Sequence, residues 1–195
     1  MIGVVILAGG EGKRMGGQDK GWCVYQEQAF IEWVLQGLQK QAQALDRPVQ
    51  IVVSANRNLA AYRAFGYPVI RDLRKGFTGP LAGIEAALTY GQAHNIQQWI
   101  SCPVDCLQPP SDYLLRMLNA PNSLAFWRTR EAEHYAHLRI SLEALPALQR
   151  YLLAQRSLQG FLKRYDACSI SSLETKELGP HFNCNFLREQ SGILF

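Results

Sequence analysis

Residues 7–20 read LAGGEGKRMGGQDK and directly follow the short apolar run Ile2–Leu7. That run is rich in β-branched residues, which favours a buried strand over the start of a helix. Glycine lacks a Cβ atom, so the backbone after the strand can adopt positive φ and a ligand can approach it closely. Consecutive N–H groups in such a loop form a concave site for phosphate. Lys13, Arg14 and Lys20 add positive charge, so the segment predicts an anion-binding glycine loop.

This loop differs from the two commonest nucleotide-binding motifs. A Walker loop requires Gly-Lys followed by Ser or Thr, but Lys13 is followed here by Arg14. A dinucleotide fingerprint requires Gly-x-Gly-x-x-Gly, and the third glycine, Gly16, comes one residue too late. The order Leu-Ala-Gly-Gly, then Arg-Met-Gly, then lysine instead resembles the signature of nucleotidyltransferases.

Length and composition fit one globular domain spanning residues 1–195, with 48% hydrophobic and 18% charged residues. The net charge of +4 suits a polyphosphate ligand, and the lack of a long basic run argues against a nucleic-acid partner. No apolar stretch approaches the ~20 residues of a membrane span. The first ten residues do not form a signal peptide. We therefore expect a cytoplasmic protein with no membrane partner.

The apolar pattern predicts alternating strands and helices. Expected strands are 2–7, 50–54, 68–70 and 99–102, and expected helices are 29–43, 59–65 and 81–90. The second half predicts a helix at 112–118, a hairpin of 124–127 and 134–140, a helical segment at 145–164 broken near Ser157, and a strand at 168–170. This alternation indicates an α/β fold, a single-domain three-layer α/β/α architecture with a mostly parallel, Rossmann-like central sheet.

Polar or flexible residues follow four of the predicted strands. They are Gly9-Gly10, Asn56, Asp72 and Asp105. Ligands of an open parallel sheet bind at the carboxyl ends of the strands. These positions are therefore expected to meet in one binding site.

Each polar residue has a functional and a structural interpretation. Asp105 would bind Mg²⁺, which needs only one or two protein carboxylates beside phosphate and water, or it is a turn or N-cap residue. Asp72 would orient the cosubstrate, hold a water molecule or share the metal. Its structural alternative is a turn residue at the end of a strand. Asn56 would contact a base edge or ribose, or it forms a turn. Lys20 would neutralise the negative charge of the α-phosphate, and Arg14 would bind the leaving pyrophosphate. The alternative for both residues is a solvated cation on the surface.

Other polar groups favour structural interpretations. The helix start at Gly79-Pro80 could bind an anion, but Pro at the first helical position explains it equally well. His134 and His137 lie three apart on a predicted strand and should face opposite sides. A zinc pair is therefore not expected, and each histidine should face solvent or lie at a sheet edge. Cysteines occur at positions 23, 102, 106, 168 and 184. Pro103 and Pro109 argue against placing Cys102 and Cys106 on one helix face, so small buried or half-buried thiols are favoured over a metal site or disulfide.

Seven motifs occur in one order along most of the chain. They are Leu-Ala-Gly-Gly at 7–10, Arg-Met-Gly-Gly at 14–17, Asp-Lys-Gly at 19–21, Ser-Ala-Asn-Arg at 54–57, Gly-Pro-Leu-Ala-Gly at 79–83, Cys-Pro-Val-Asp at 102–105 and Asn-Cys-Asn at 183–185. Together they resemble the molybdenum cofactor guanylyltransferases. Asn183 and Asn185 are the residues of the tail that this set singles out, with a turn as the alternative.

This resemblance implies transfer of GMP from GTP to the molybdopterin cofactor, with Mg²⁺ as cofactor and pyrophosphate as the second product. It implies that Leu7, Ala8 and Gly9 contact the nucleotide together with Asp72. It further implies that Lys20 contacts the phosphates and that Asp105 binds the metal. The implied partners are GTP, the molybdopterin cofactor, and other molybdenum-cofactor biosynthesis proteins or chaperones of apo-molybdoenzymes.

Three departures from the family pattern bear on these expectations. Ser54 replaces an asparagine, Cys106-Leu107 replaces Thr/Met-Pro, and Tyr135 replaces the proline of His-Pro. The last two predict a change on the acceptor side. The alternatives are therefore another nucleotidyltransferase, of the molybdopterin cytidylyl or sugar-1-phosphate type, and a non-catalytic nucleotide-sensing relative.

Overall fold

The structure, a computed structural model, describes residues 1–10, 17–74, 76, 79–171 and 193–194, the last two for their backbone only. The strands are β1 (Ile2–Leu7), β2 (Val24–Tyr25), β3 (Gln28–Ala29), β4 (Val49–Ser54), β5 (Val69–Ile70), β6 (Gln98–Pro103), β7 (Ala125–Arg128), β8 (Glu133–Ser141), β9 (Cys168–Ser171) and β10 (Ile193–Leu194). The helices are α1 (Phe30–Ala44), α2 (Leu59–Arg63), α3 (Pro80–His94), α4 (Tyr113–Leu118), α5 (Leu145–Tyr151) and α6 (Leu158–Arg164). Short 3-10 helices span Lys20–Trp22 and Leu142–Ala144.

The central sheet has the strand order β5-β4-β1-β6-β8-β7-β9. Strands β5, β4, β1 and β6 run parallel to one another. Strand β8 is antiparallel to both β6 and β7, and β9 is parallel to β7. Among the described strands of this sheet, β8 alone is therefore reversed, which confirms the mostly parallel sheet. A small sheet of β10, β2 and β3 accompanies it and was not predicted.

Alternating side chains of β1 divide the core between the two faces of the sheet. Val4 and Ile6 pack into a cluster with residues of α1, α2 and α4. Val5 packs into a second cluster with residues of α3, α5 and α6. Successive residues of a strand point to opposite faces, so one apolar run supplies both layers. The predicted three-layer α/β/α arrangement is confirmed.

Helix boundaries follow local capping. Helix α3 extends past the predicted end to His94 and stops at Asn95, which adopts left-handed φ of 55°. The predicted break near Ser157 is confirmed, because the Ser157 side chain accepts a hydrogen bond from the N–H of Gly160 and caps α6. None of the helices that the structure describes is long and apolar enough to cross a bilayer.

Strand β8 contains an irregularity that corrects one expectation. Phe126 pairs with Leu138, but the next residue, Trp127, pairs with His134. This bulge changes the direction of the side chains between those pairs, so the rings of His134 and His137 lie 6.1 Å apart instead of on opposite faces. His137 is only 3% exposed. The prediction of a solvent-exposed edge histidine is therefore wrong for His137.

Candidate active site

The glycine turn and Asp105 lie on the same edge of the central sheet. Leu7 is paired with Pro103 in the parallel β1–β6 register, and the N–H of Val104 donates to the carbonyl of Leu7 at 3.2 Å. Gly9 and Asp105 each come two residues after this pair. Their shared position at the carboxyl ends of adjacent parallel strands is the one that sequence analysis predicts.

Lys20 and Asp105 form an ion pair. Lys20 Nζ donates to Asp105 Oδ2 at 2.6 Å, and the two side chains are 28% and 15% exposed. Within the described residues, the Asp105 carboxylate thus accepts from a cation 85 positions away rather than from a backbone N–H of its own turn. The structure thus brings together the two residues predicted to bind the phosphates and the metal, and those roles stay predictions.

A buried carboxylate fixes the segment that carries Lys20. Asp19 accepts hydrogen bonds from the N–H of Gly21 at 3.2 Å, from Asn58 Nδ2 at 3.0 Å and from Tyr62 Oη at 2.7 Å. Burial and the bond to Asp19 both raise the pKa of Tyr62, so its hydroxyl remains a donor. Asp19 therefore anchors the segment that carries Lys20 to α2.

Asn56 connects the glycine turn to Asp72. Its Nδ2 donates to Asp72 Oδ2 at 2.8 Å and to the Gly9 carbonyl at 3.3 Å, and its Oδ1 accepts from the N–H of Asp72 at 3.1 Å. Both ends of the amide therefore bind protein groups. The side chain positions Gly9 and Asp72, and the contact of Asn56 with a base edge or ribose stays a prediction. Burial raises the pKa of Asp72, and the hydrogen bond from Asn56 opposes that rise.

Arg57 is a site residue that sequence analysis did not single out. Its guanidinium donates to the carbonyls of Gly10 at 3.0 Å and Gln18 at 3.3 Å, and also to the carbonyl of Gly17. These acceptors flank residues 11–16, so Arg57 joins the two ends of the glycine loop. The planar fork of five donors suits arginine to such a role. The available signal was the position of Arg57 in the Ser-Ala-Asn-Arg motif.

The loop amides divide into two groups. The N–H of Ala8 donates to the Ser54 carbonyl at 2.8 Å, so it extends the sheet and cannot also bind phosphate. The backbone of Leu7 is likewise part of the β1–β6 ladder. The N–H groups of Gly9 and Gly10, in contrast, donate to no acceptor within the described residues. Of the amides that the structure describes in this turn, those of Gly9 and Gly10 are therefore the candidates for binding phosphate.

Close approach, not left-handed backbone, explains the glycine at position 9. Neither Gly9 nor Gly10 has a positive φ. A Cβ atom added to Gly9 would lie 3.0 Å from Asn56 Nδ2, whereas one added to Gly10 would meet nothing within 4 Å. The positive φ that glycine permits in this loop is therefore not used at these two positions. It is used at Gly17, whose φ is 84°.

Helix α3 supports the site through an ion pair. Arg74 Nε and an Arg74 terminal nitrogen each donate to a different oxygen of Glu85 at 2.8 Å, and Glu85 is buried. This paired contact holds the segment after β5, which includes Asp72, against α3. At the helix start, Gly79 has φ of 73° and Pro80 occupies the first turn, as the structural interpretation of this motif predicts.

Several predicted residues lie elsewhere or outside the described residues. Cys106 and Leu107 are buried in the core, and the change predicted on the acceptor side stays a prediction. The hydroxyl of Tyr135 accepts from Gln159 at 2.8 Å and donates to Glu133, which are local surface contacts. The predictions for Lys13, Arg14, Asn183 and Asn185 concern positions outside the described residues.

Comparisons with known proteins show the family to which this chain is similar. Residues 4–168 match the family described as MobA-like NTP transferase domain. The molybdenum cofactor guanylyltransferase of Pasteurella multocida (strain Pm70) is 33% identical over 184 residues, covering 92% of this chain and 93% of that protein. The enzyme of the same name from Haemophilus influenzae (strain ATCC 51907 / DSM 11121 / KW20 / Rd) is 34% identical over 191 residues, covering 95% and 94%.

A solved structure shows the same fold. Molybdopterin-guanine dinucleotide biosynthesis protein A from Archaeoglobus fulgidus superposes with a TM-score of 0.66 and 21% identity, covering 87% of this chain and 83% of that chain. The match to the family covers most of the chain, and the two relatives align over nearly their whole length. The chain therefore belongs to the family of MobA-like NTP transferases and is a nucleotidyltransferase.

Proposed function

We propose that this chain transfers GMP from GTP to the molybdopterin cofactor, which gives the guanine dinucleotide form of the cofactor and pyrophosphate. Two full-length relatives carry the name of this activity. The structural observation that carries the proposal is the 2.6 Å contact between Lys20 and Asp105 beside the Gly9 turn. A cation, a carboxylate and the amides of Gly9 and Gly10 at one sheet edge suit a polyphosphate substrate.

The residues present fit Mg²⁺. Asp105 offers a partly exposed carboxylate at the edge where the loop amides are open, and Mg²⁺ commonly takes one or two carboxylates with substrate phosphates and water. Asp105 would hold the ion, and the ion when bound would neutralise negative charge on the phosphates. Because Lys20 contacts the same carboxylate, both cations would act at the same phosphates.

The transfer step needs no protein nucleophile. A phosphate oxygen of the acceptor attacks the α-phosphorus of GTP and forms the new P–O bond. The bond from the α-phosphorus to the oxygen of the β-phosphate breaks, and pyrophosphate leaves with that electron pair. The protein contributes by holding two anions together and by stabilising the charge that spreads over the oxygens. Lys20 is the described cation best placed for this work.

Other residues keep the phosphates and the nucleotide in position. We propose that the amides of Gly9 and Gly10 bind phosphate oxygens while Arg57 holds the two ends of their loop. Asn56 positions Asp72, whose carboxylate we propose contacts the nucleotide. Arg14 is proposed, from its place in the motif, to bind the leaving pyrophosphate.

The test is release of pyrophosphate by the purified chain with GTP, MgCl₂ and molybdopterin cofactor, with identification of the dinucleotide product by mass spectrometry. Product from GTP, with little from CTP, UTP or ATP, is expected. Selective use of CTP would instead indicate a cytidylyltransferase. Turnover with a sugar 1-phosphate would replace the acceptor assignment. Binding of nucleotide without pyrophosphate release from any acceptor would indicate a non-catalytic relative.

A further inference from the structure

Three metal-ligating side chains converge in the core outside the proposed active site. The Sγ atoms of Cys102 and Cys106 and a ring nitrogen of His137 all lie within 4.8 Å of one another. Cys102 and Cys106 are 0% exposed and His137 is 3% exposed. They come from the end of β6, the turn after it, and the bulged part of β8. Folding, not sequence proximity, therefore assembles this group.

The hydrogen bonds of Tyr113 determine the tautomer of His137. Tyr113 Oη donates its single proton to the Ser101 carbonyl at 2.7 Å. At its 3.1 Å contact with His137 Nδ1 the hydroxyl must therefore accept, so Nδ1 carries the ring proton. Nε2 is left with the lone pair that a metal ligand needs. Hydrogen bonding of the second ring nitrogen is a usual feature of metal-binding histidines.

Charge and burial also suit such a site. Burial lowers the pKa of His137 to about 3, so the ring is neutral at physiological pH. Two thiolates and a neutral imidazole around a divalent ion would give no net charge, which is the arrangement that a dry core tolerates. Thiolate and imidazole are the ligands that Zn²⁺ prefers, with bonds of about 2.3 Å and 2.0–2.1 Å.

We propose that Cys102, Cys106 and His137 form a binding site for a thiophilic divalent metal ion, with Zn²⁺ as the probe. Tetrahedral bonds of those lengths place ligand atoms about 3.5–4 Å apart, so the observed group needs only a small contraction. Binding forms two metal–sulfur bonds and one metal–nitrogen bond, and the two thiol protons pass to solvent. The ion would thereby fasten β8 to the turn after β6.

His134 completes the surroundings. Its ring lies 6.1 Å from that of His137, and its Nε2 is 3.4 Å from Thr129 Oγ1. Zn²⁺ usually has four ligands, and His134→Gln tests whether this neighbouring ring supplies the fourth. The test of this site uses neither GTP nor the acceptor, so its outcome does not depend on the proposed function.

The experiment uses the full chain, reduced and treated with a chelator, then titrated with Co²⁺ and afterwards with Zn²⁺. We expect one Co²⁺ per chain with the near-ultraviolet charge-transfer absorption of thiolate coordination, loss of that absorption when Zn²⁺ is added, and a rise of several degrees in Tm with Zn²⁺. Cys106→Ser and His137→Gln should each abolish the signal. Cys168→Ser, which removes a thiol outside the group, should retain it.

Two results would overturn the site. The first is a folded wild-type chain that shows no thiolate absorption with Co²⁺, a result that needs no variant. The second is absorption of equal strength in Cys106→Ser and Cys168→Ser, which would locate the bound metal elsewhere. Circular dichroism of each variant separates loss of binding from loss of folding.

Discussion

Lys20 Nζ lies 2.6 Å from Asp105 Oδ2, so a cation from the end of the glycine loop meets a carboxylate from the end of β6. Both groups remain partly exposed, which keeps them accessible to a charged ligand. The hydrogen bonds of Asp19 hold the backbone that carries Lys20. The pairing of β1 with β6 holds the backbone that leads to Asp105.

The first prediction is that Lys20 and Asp105 act together in turnover. Lys20→Met and Asp105→Asn should each lower kcat by about 10²–10³, the usual loss when one group that stabilises the transition state is removed. The double variant should lose much less than the product of the two effects, because both side chains act on the same phosphates. Steady-state release of pyrophosphate by the four proteins measures this coupling.

Asp112→Asn provides the matched control for that cycle. Asp112 also lies 2.6 Å from a cationic nitrogen, that of Arg116, but on the surface of α4. Exposed pairs of this kind contribute little to stability. The control should keep wild-type turnover. Strictly multiplicative effects of Lys20→Met and Asp105→Asn would contradict the shared role.

A second prediction concerns Arg57. One terminal nitrogen of Arg57 contacts Gly17 and the other contacts Gly10 and Gln18. A single ammonium cannot occupy both places, so Arg57→Lys should lose one or two hydrogen bonds, each worth about 0.5–1.5 kcal/mol. Because those bonds hold the two ends of the glycine loop, affinity for GTP should fall about tenfold or more, which isothermal titration calorimetry measures. Arg63→Lys, at an exposed position at the end of α2, is the control. Unchanged affinity in Arg57→Lys would mean that the loop ends need no such link.

A third prediction separates the two glycines of the turn. Gly9→Ala should lower Tm, since its methyl group would lie 3.0 Å from Asn56 Nδ2 and displace the link to Asp72. Gly10→Ala should leave Tm nearly unchanged, because the added atom meets no protein group within 4 Å. Thermal unfolding without nucleotide compares them. Equal losses of Tm would show that backbone conformation, and not contact with Asn56, selects glycine at position 9.

The position of the site at the carboxyl edge of the central sheet could be predicted from the sequence, because local patterns of residues determine it. The apolar run Ile2–Leu7 predicts β1, and alternation of strands and helices predicts parallel neighbours. Once β1 and β6 are parallel, Gly9 and Asp105 necessarily reach the same edge. The contact of Asp105 with Lys20 is different, because it depends on the path of the chain between Gly10 and Lys20.

The small sheet shows why other elements were not predicted. Strands β2 and β3 have two residues each, too few for a periodic pattern. Their turn contains Gln26 and Glu27, both with positive φ, of 48° and 63°. Such two-residue turns are normally recognised by Asn-Gly or Asp-Gly, and neither occurs here. The sequence therefore carries no sign of this hairpin.

His137 shows another limit of prediction from the sequence. Alternation along β8 predicts its face correctly only if the strand is regular, and the bulge against β7 removes that condition. The same bulge brings His137 to Tyr113 and the two cysteines, contacts that span 24 to 35 positions of the chain.

Assignment of residues 1–195 to one domain stays a prediction.

The last prediction concerns pH and the metal-free protein. His137 has a pKa of about 3 in the folded chain and about 6.5 in the unfolded chain, because burial disfavours its charged form. Below pH 6.5 the unfolded chain therefore binds a proton that the folded chain does not, and the free energy of unfolding falls by about 1.4 kcal/mol per pH unit toward pH 3. Other groups also titrate in this range, so the test is the difference between variants in urea unfolding at pH 7, 6 and 5 with a chelator present. His137→Gln should show a smaller decrease than wild type, and His94→Gln, at an exposed position, should match wild type. Equal decreases in wild type and His137→Gln would mean that His137 is protonated in the folded chain.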